Sequence, residues 1–188
     1  MFAKVVMTMS DEITLSRRTY RFTVTSARDE QNRAKLEALP SLNPDPLGGC
    51  EDHGHITASA LVVNDARDHV LLTLHAKLGM WLPPGGHCDS DPDVVRVCRK
   101  EVYEETGHAD LVALNDGILD VDIHTIPAGK TSRAHLHYDV RFAFVADMSR
   151  ELVISSESKD LRWIPISEIG AYTKMPSVLV LTEKLRTL

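Results

Sequence analysis

Apolar and polar positions alternate with two different periods along this chain. From Ile56 to Asn64 the residues are almost continuously apolar, rich in Ala, Leu and Val, which predicts a buried strand. Val70 to His75 predicts a second strand, joined to the first by the turn Asn64-Asp65-Ala66-Arg67-Asp68. Residues 77–90 hold two prolines and three glycines and predict a loop with at most a short strand. A helical period follows. Asp91 suits its N-cap, Pro92 its first position and Gly107 its end. Further strands are expected at 117–126, 136–146 and 160–165, and a closing helix at 176–186. Strands interleaved with two helices predict an α/β fold, a mixed sheet sandwiched by helices.

Upstream the pattern is weaker. Residues 13–24 fit a strand or a helix. Ser26 is placed to cap a helix from Arg28 to Leu39, anchored by Leu36 and Leu39 and stopped by Pro40. Residues 40–54 carry three prolines and three glycines and read as a linker. The expected organisation is an N-terminal appendage over 1–48 and a main domain over 49–188.

Composition narrows the function classes. The 188 residues carry 21 basic and 27 acidic side chains, a net charge of −6, with 43% hydrophobic residues. That balance suits a folded globular chain long enough to bury a core. The acidic excess argues against a nucleic-acid partner or an anionic membrane surface. No apolar run approaches the roughly 18 residues of a membrane helix. Val5-Val6-Met7 is too short for a signal-peptide core, and three cysteines (Cys50, Cys88, Cys98) do not make a disulfide framework. A cytoplasmic, reduced protein is the expectation.

The strongest chemical pattern lies on the first helix. Glu101, Glu104 and Glu105 are spaced i, i+3, i+4 and share an arc of about 100°. Val95, Cys98 and Val102 form an apolar stripe beside them, and Arg96, Arg99, Lys100 and Tyr103 take the remaining side. Such crowding of carboxylates is costly without a cation among them. A hard divalent ion, Mg²⁺ or Mn²⁺, suits oxygen ligands. A solvated acidic face is the alternative, and from composition alone it is the commoner one.

The preceding loop tips the balance. Residues 83–107, PPGGHCDSDPDVVRVCRKEVYEETG, resemble the signature of the Nudix hydrolases, in which a glycine loop leads at fixed spacing into a Glu-rich helix. Gly86, Glu101, Val102, Glu104, Glu105 and Gly107 all fall at the required positions. Pro92 stands where that pattern has its first Glu, Lys100 replaces an Arg and His108 replaces an apolar residue. The replaced Glu and Arg brace the loop in the family, so Asp91, Asp93 or Arg99 would have to brace it here. The resemblance covers roughly residues 55–188, with Leu78-Gly79-Met80-Trp81 and Leu161-Arg162-Trp163-Ile164-Pro165 also fitting.

The resemblance implies a Nudix-type α/β/α sandwich with a mixed β-sheet. It implies a metal-dependent pyrophosphatase acting on a nucleoside diphosphate linked to another group, or a related organic diphosphate. Glu101, Glu104 and Glu105 would be ligands of Mg²⁺ or Mn²⁺, assisted by the Gly86 carbonyl, and Glu157, six residues before Trp163, would be a further ligand or base. Metal-activated water would attack phosphorus. Arg133, Arg141 and Lys130 could meet phosphate oxygens, with Asp139 beside them. A homodimer is open, with 1–48 available to form it.

The histidines form a second pattern. Over 135–145, Leu136, Tyr138, Val140, Phe142 and Phe144 point one way, and His135, His137, Asp139 and Arg141 the other. Asp120, Asp122 and His124 share a parity on the preceding strand, with Pro127 to Ala134 as the hairpin loop. This face either meets water or carries chemistry. The type 1 isopentenyl diphosphate isomerases, which share the Nudix fold, bind a metal through residues similarly placed. That comparison implies a second, transition-metal site, such as Zn²⁺, at His55, His87, His135 and His137, with His53 in reserve. The isomerase's nucleophilic Cys corresponds to Gly85 here. The alternatives to hydrolysis are thus an isomerase-like reaction and a non-catalytic diphosphate-binding module.

Overall fold

A computed structural model describes residues 12–16, 18–49, 53–129 and 132–188. Cys50, Lys130 and the Val5-Val6-Met7 patch lie outside the described residues. In chain order the elements are β1 (Glu12–Leu15), β2 (Arg18–Phe22), α1 (Ala27–Leu42), β3 (His55–Val63), β4 (His69–His75), β5 (Trp81–Leu82) and β6 (Gly85–His87). There follow α2 (Val94–Thr106), β7 (Val112–Ala113), β8 (Gly117–Ile118), β9 (Asp120–Ile126), β10 (His135–Val145) and β11 (Ser158–Pro165). A 3₁₀ turn (Ile166–Glu168), the short α3 (Ile169–Tyr172) and α4 (Pro176–Leu185) close the chain.

The main sheet runs β11-β4-β3-β10-β7, with β5 on β4, β6 on β3 and β9 on β10. It is mixed, because β3 and β10 are parallel while the other pairs are antiparallel. β3, central in this sheet, is buried at every position, which is why its sequence runs almost continuously apolar. On one face Ile56, Ala58, Ala60, Val62, Val140, Phe142 and Phe144 pack with Val94, Val97, Cys98 and Val102 of α2. On the other, Leu61, Val63, Val70, Leu72 and Ala143 pack with Val178, Leu181 and Leu185 of α4. The result is the expected α/β/α sandwich.

The N-terminal region resolves the strand-or-helix ambiguity over 13–24 as a β1–β2 hairpin. β2 pairs in parallel with β8 through Arg21↔Gly117 and Phe22↔Ile118. Ile13, Leu15, Tyr20, Phe22, Leu36 and Leu39 enter the same core as α2. Ser26 caps α1 as expected, its side chain accepting from Asp29 N. Pro40 does not stop the helix, which continues to Leu42, where the Asn43 N–H bonds Leu39 O. A proline in the last turn bends but need not end a helix held by core anchors one residue away.

Two boundaries around the acidic helix also differ from expectation. The N-cap is Asp93, whose carboxylate accepts from Arg96 N, so Pro92 precedes the helix and Asp91 lies outside it. The loop at 77–90 contains two short strands. Gly107 ends α2 at φ 80°, as its left-handed role requires.

Candidate active site

The three glutamates of α2 occupy three different environments. Glu105 extends the buried stripe Cys98–Val102, four and then three residues apart, and is 9% exposed. Glu101 flanks that stripe, its side chain 16% exposed, and Glu104 faces outward. Burial pushes the Glu105 carboxyl up to about 7; the Gly85 N–H opposes this, while Glu101 and Glu157 reinforce it. Burial also raises Glu101, partly offset by Lys100. Lys100 lies 3.0 Å from Glu104 and 3.5 Å from Glu101, so a side-chain cation already answers part of the clustered charge.

The glycine strand β6 is fitted to these carboxylates. Gly85 N–H donates to Glu105 Oε1 at 2.9 Å. A Cβ on Gly86 would stand 2.5 Å from Glu101 Oε2, so the absent side chain makes the space Glu101 fills. Thr73 of β4 lies beside Glu105 and lowers its carboxyl somewhat, while its hydroxyl donates to Leu82 O at 3.4 Å. Its signal in the sequence was only its position in an otherwise apolar strand. Glu157 is exposed, and its backbone carbonyl accepts from Ala76 N. Its charge contributes to raising both Glu101 and Glu105.

The positions that depart from the Nudix pattern have local compensations. Arg18 of β2 pairs with the N-cap Asp93 at 2.8 Å, and Arg96 pairs with Asp91. Arg99 does not brace the loop: it donates to Leu111 O and lies over the Phe144 ring. His108 is 2% exposed and meets Trp163 edge-on at 5.9 Å, filling an apolar position with an imidazole. Cys98 is core, its thiol donating to Ser59 O. Burial, with nearby carboxylates, pushes the Cys88 thiol up to about 12, which leaves no thiolate at neutral pH.

The opposite face of the sheet holds the other predicted residues. The register sets His137 beside His55 and His124, Asp139 beside Thr57 and Asp122, and Arg141 beside Ser59 and Asp120. His87 pairs with Thr57 from the other side. This face is not simply wetted. Arg141 donates to Asp139 at 2.7 Å, approaches Asp120 and Asp122 at 3.4 Å, and reaches the Ser177 carbonyl at 2.6 Å. Thr57 and Ser59 complete Asp139. Arg28 and Lys184 complete Asp120, and Asp29 receives Lys184. Asp139 and Arg141, expected to meet substrate, are both buried and direct these hydrogen bonds into the network. Arg133, on the loop before β10, is exposed and its carbonyl accepts from His135.

Thr57 and Ser59 went unnoticed in the sequence because the apolar content of β3 hid their alternation with Ile56, Ala58 and Ala60. The partners Arg28, Asp29 and Lys184 come from helices far away in sequence and left no local signal.

His55, His87, His135 and His137 converge, with ring centroids 4.7–5.2 Å apart for five of their pairs. Burial and the neighbouring imidazoles hold His137 down at about 3. A cavity of about 340 Å³ opens beside His53 and His135, not at the carboxylates.

The NUDIX domain family model matches residues 53–181. The chain belongs to the Nudix family. It is a Nudix-type pyrophosphohydrolase, a hydrolase of diphosphates, and Nudix enzymes generally use divalent metals. Among solved structures it is similar to a NUDIX-family hydrolase from Clostridium perfringens, at 28% identity and TM-score 0.50 over 71% of this chain and 97% of that one. It is also similar to a Caenorhabditis elegans Ap4A hydrolase (16% identity, TM-score 0.51, 70% and 95% covered). The NUDIX domain of Shewanella oneidensis NrtR, solved with ADP ribose, gives 20% identity and TM-score 0.51 over 80% and 97%. The last two argue for the Nudix fold alone. No curated protein matches the chain. Among the described residues no helix of this Nudix protein is long and apolar enough to cross a membrane.

Proposed function

We propose that the protein hydrolyses the phosphoanhydride of a nucleoside diphosphate linked to a second group, or of a related organic diphosphate, with Mg²⁺ or Mn²⁺ at Glu101, Glu104 and Glu105. The observation that carries this reading is the fit of β6 to α2, with Gly86 vacating the space that Glu101 occupies and Gly85 N–H holding Glu105. The donor set, three carboxylates and a backbone carbonyl at Gly86, is all oxygen and suits a hard cation. When bound, such an ion supplies an activated water and offsets charge on the bridging and leaving oxygens of the diphosphate.

The chain's own groups divide the remaining work. Glu105, half of its carboxylate held by Gly85 N–H, presents a buried oxygen ligand. Glu157, exposed and acting electrostatically on Glu101 and Glu105, is the proton acceptor in this reading. Lys100 holds Glu104 until a stronger cation competes for it. Exposed Arg133 stands on the loop before β10, and a guanidinium there would suit phosphate oxygens. Gly85 and the buried, protonated Cys88 leave the region without the thiolate nucleophile of an isomerase-type reaction.

The test is release of phosphate or nucleotide from a panel of organic and nucleoside diphosphates, with and without Mg²⁺. Turnover should require the ion, and Glu104→Gln should lower it by about a hundredfold or more with the fold unchanged. A near wild-type rate for that variant would remove Glu104 from the ligand set. Isomer formation without phosphate release would overturn the hydrolytic reading.

A further inference from the structure

The diphosphate chemistry leaves the histidines unused. They are not scattered. His55 opens β3, His137 sits opposite it on β10, His135 is two residues earlier on the same face, and His87 ends β6 one rung further along. One ligand nitrogen from each of His55, His135 and His137 lies within 4.8 Å of the others. His87 is 5.1 Å from His55 and 5.2 Å from His137, ring to ring.

The nitrogens have the right protonation pattern for ligands. His135 Nδ1 lies 2.8 Å from the Arg133 carbonyl. A carbonyl only accepts, so the proton sits on Nδ1 and the His135 Nε2 lone pair faces the cluster. That nitrogen is 3.3 Å from His137 Nε2. Metal–nitrogen bonds of about 2.0–2.1 Å in a tetrahedral site set neighbouring nitrogens roughly 3.3 Å apart. A lone imidazole–imidazole hydrogen bond would give the same spacing, but it would not gather two more rings from β3 and β6. His124 stands behind the group, 5.6 Å from His137, with its Nδ1 paired to Asp122 at 3.0 Å.

The face matters. Gly86 turns toward α2 and Glu101, so the next residue, His87, turns the other way. Carboxylates and imidazoles therefore lie on opposite sides of one sheet. The first set suits a hard cation, the second a borderline one. We propose that His55, His87, His135 and His137 bind one divalent transition-metal ion of the zinc class, separate from the carboxylate cluster.

The experiment uses the full chain, stripped with chelator and then freed of it. Co²⁺ is titrated in and followed by visible absorption, then displaced with Zn²⁺. One equivalent should give the intense band of four-coordinate cobalt, and zinc should abolish it. The double variant His135→Ala/His137→Ala should weaken binding by about a hundredfold or more. Glu101→Gln/Glu104→Gln should leave the band in place. If the alanine variant does not fold by circular dichroism, His135→Gln/His137→Gln is read in its place. Less than a tenth of an equivalent bound, or unaltered affinity in the histidine variant, overturns the site. So does a band lost in the glutamate variant alone, which would put the ion among the carboxylates.

Discussion

Gly85 and Gly86 are neighbours that both lack room for a side chain, for different reasons. A Cβ on Gly86 meets the far end of a flexible side chain, Glu101 Oε2 at 2.5 Å. A Cβ on Gly85 meets Ser59 Cβ at 2.4 Å and the Ala58 carbonyl at 2.5 Å, which cannot move without the sheet. Gly86→Ala should therefore cost less than about 1 kcal/mol of stability yet lower turnover at least about tenfold by displacing Glu101. Gly85→Ala should lower stability by about 2 kcal/mol or more and loosen Glu105 as well. Paired thermal melts and rate measurements check this, and equal stability losses in the two variants would contradict it.

Glu105 makes a second prediction at the same scale. Its folded value, about 7, lies above the ordinary 4.5. A carboxyl raised by folding contributes stability that is fully present below about pH 4.5 and lost as pH rises through about 7. His137, held at about 3 against an ordinary 6.5, acts in the opposite sense and loses stability as pH falls below 6.5, so the Glu105 part is read as the difference between the metal-free protein and Glu105→Gln, up to roughly 3 kcal/mol between pH 5 and pH 8. Asp120 and Asp122 are held below their ordinary 3.8, so their loss falls at more acid pH, outside this window. Mg²⁺ should restore stability at pH 8 and do little at pH 5, and Glu105→Gln should remove the loss that sets in between about pH 4.5 and 7. A pH 5 to pH 8 stability profile that is the same in the metal-free protein and in Glu105→Gln would count against the assignment. This is also where sequence reading reached furthest: Gly86, Glu101, Glu104 and Glu105 are legible because one turn of helix and one short strand fix their spacing. Their unequal burial was less visible, although the Cys98–Val102–Glu105 interval carries it.

At the scale of the element, β9 and β10 carry a charge network where the sheet turns from imidazoles to apolar core. Asp120 is fully buried between Arg28, Arg141 and Lys184. Burial alone would raise its carboxyl, but these cations hold it below the ordinary range. Removing a partner from such a buried set leaves uncompensated charge, so Asp120→Ala should destabilise by about 3–5 kcal/mol, read from denaturant unfolding. A change within about 0.5 kcal/mol would show that the network contributes little. The alternation over 135–145 displayed the polar face correctly, but not its purpose. Whether Arg141 meets a ligand or three aspartates depends on helices contributing Arg28 and Lys184 from either end of the chain. No local period encodes that meeting.

At the scale of the whole molecule, the question is what residues 1–48 do for the Nudix domain. The matched family region begins at residue 53, yet the preceding hairpin and α1 are built into its core. Phe22 and Leu39 are fully buried, and Ile13 and Leu36 are each 1% exposed. Arg28 holds Asp120 and Asp122, and Asn32 donates to Val121 O. Arg18 completes the N-cap of α2 at Asp93, tying the first hairpin to the helix that carries the glutamates. A chain beginning at residue 49 would expose the apolar surface of β8 and α2 and leave Asp120 and Asp122 short of one cation. Each fully buried large side chain lost from this core is worth about 1.5–3 kcal/mol, so losing four removes about 6–12 kcal/mol, comparable with the whole stability of a typical domain. The truncated protein should be insoluble or bind a hydrophobic dye strongly, and no Mg²⁺ concentration should rescue turnover. If it instead melted cooperatively within a few degrees of the full chain, residues 12–42 would be a dispensable addition. Arg18→Ala separates the two contributions of this region. It leaves the core side chains in place and removes the link to Asp93 together with the guanidinium's contact on the Tyr20 ring, so it should lower stability only slightly, by about 1 kcal/mol.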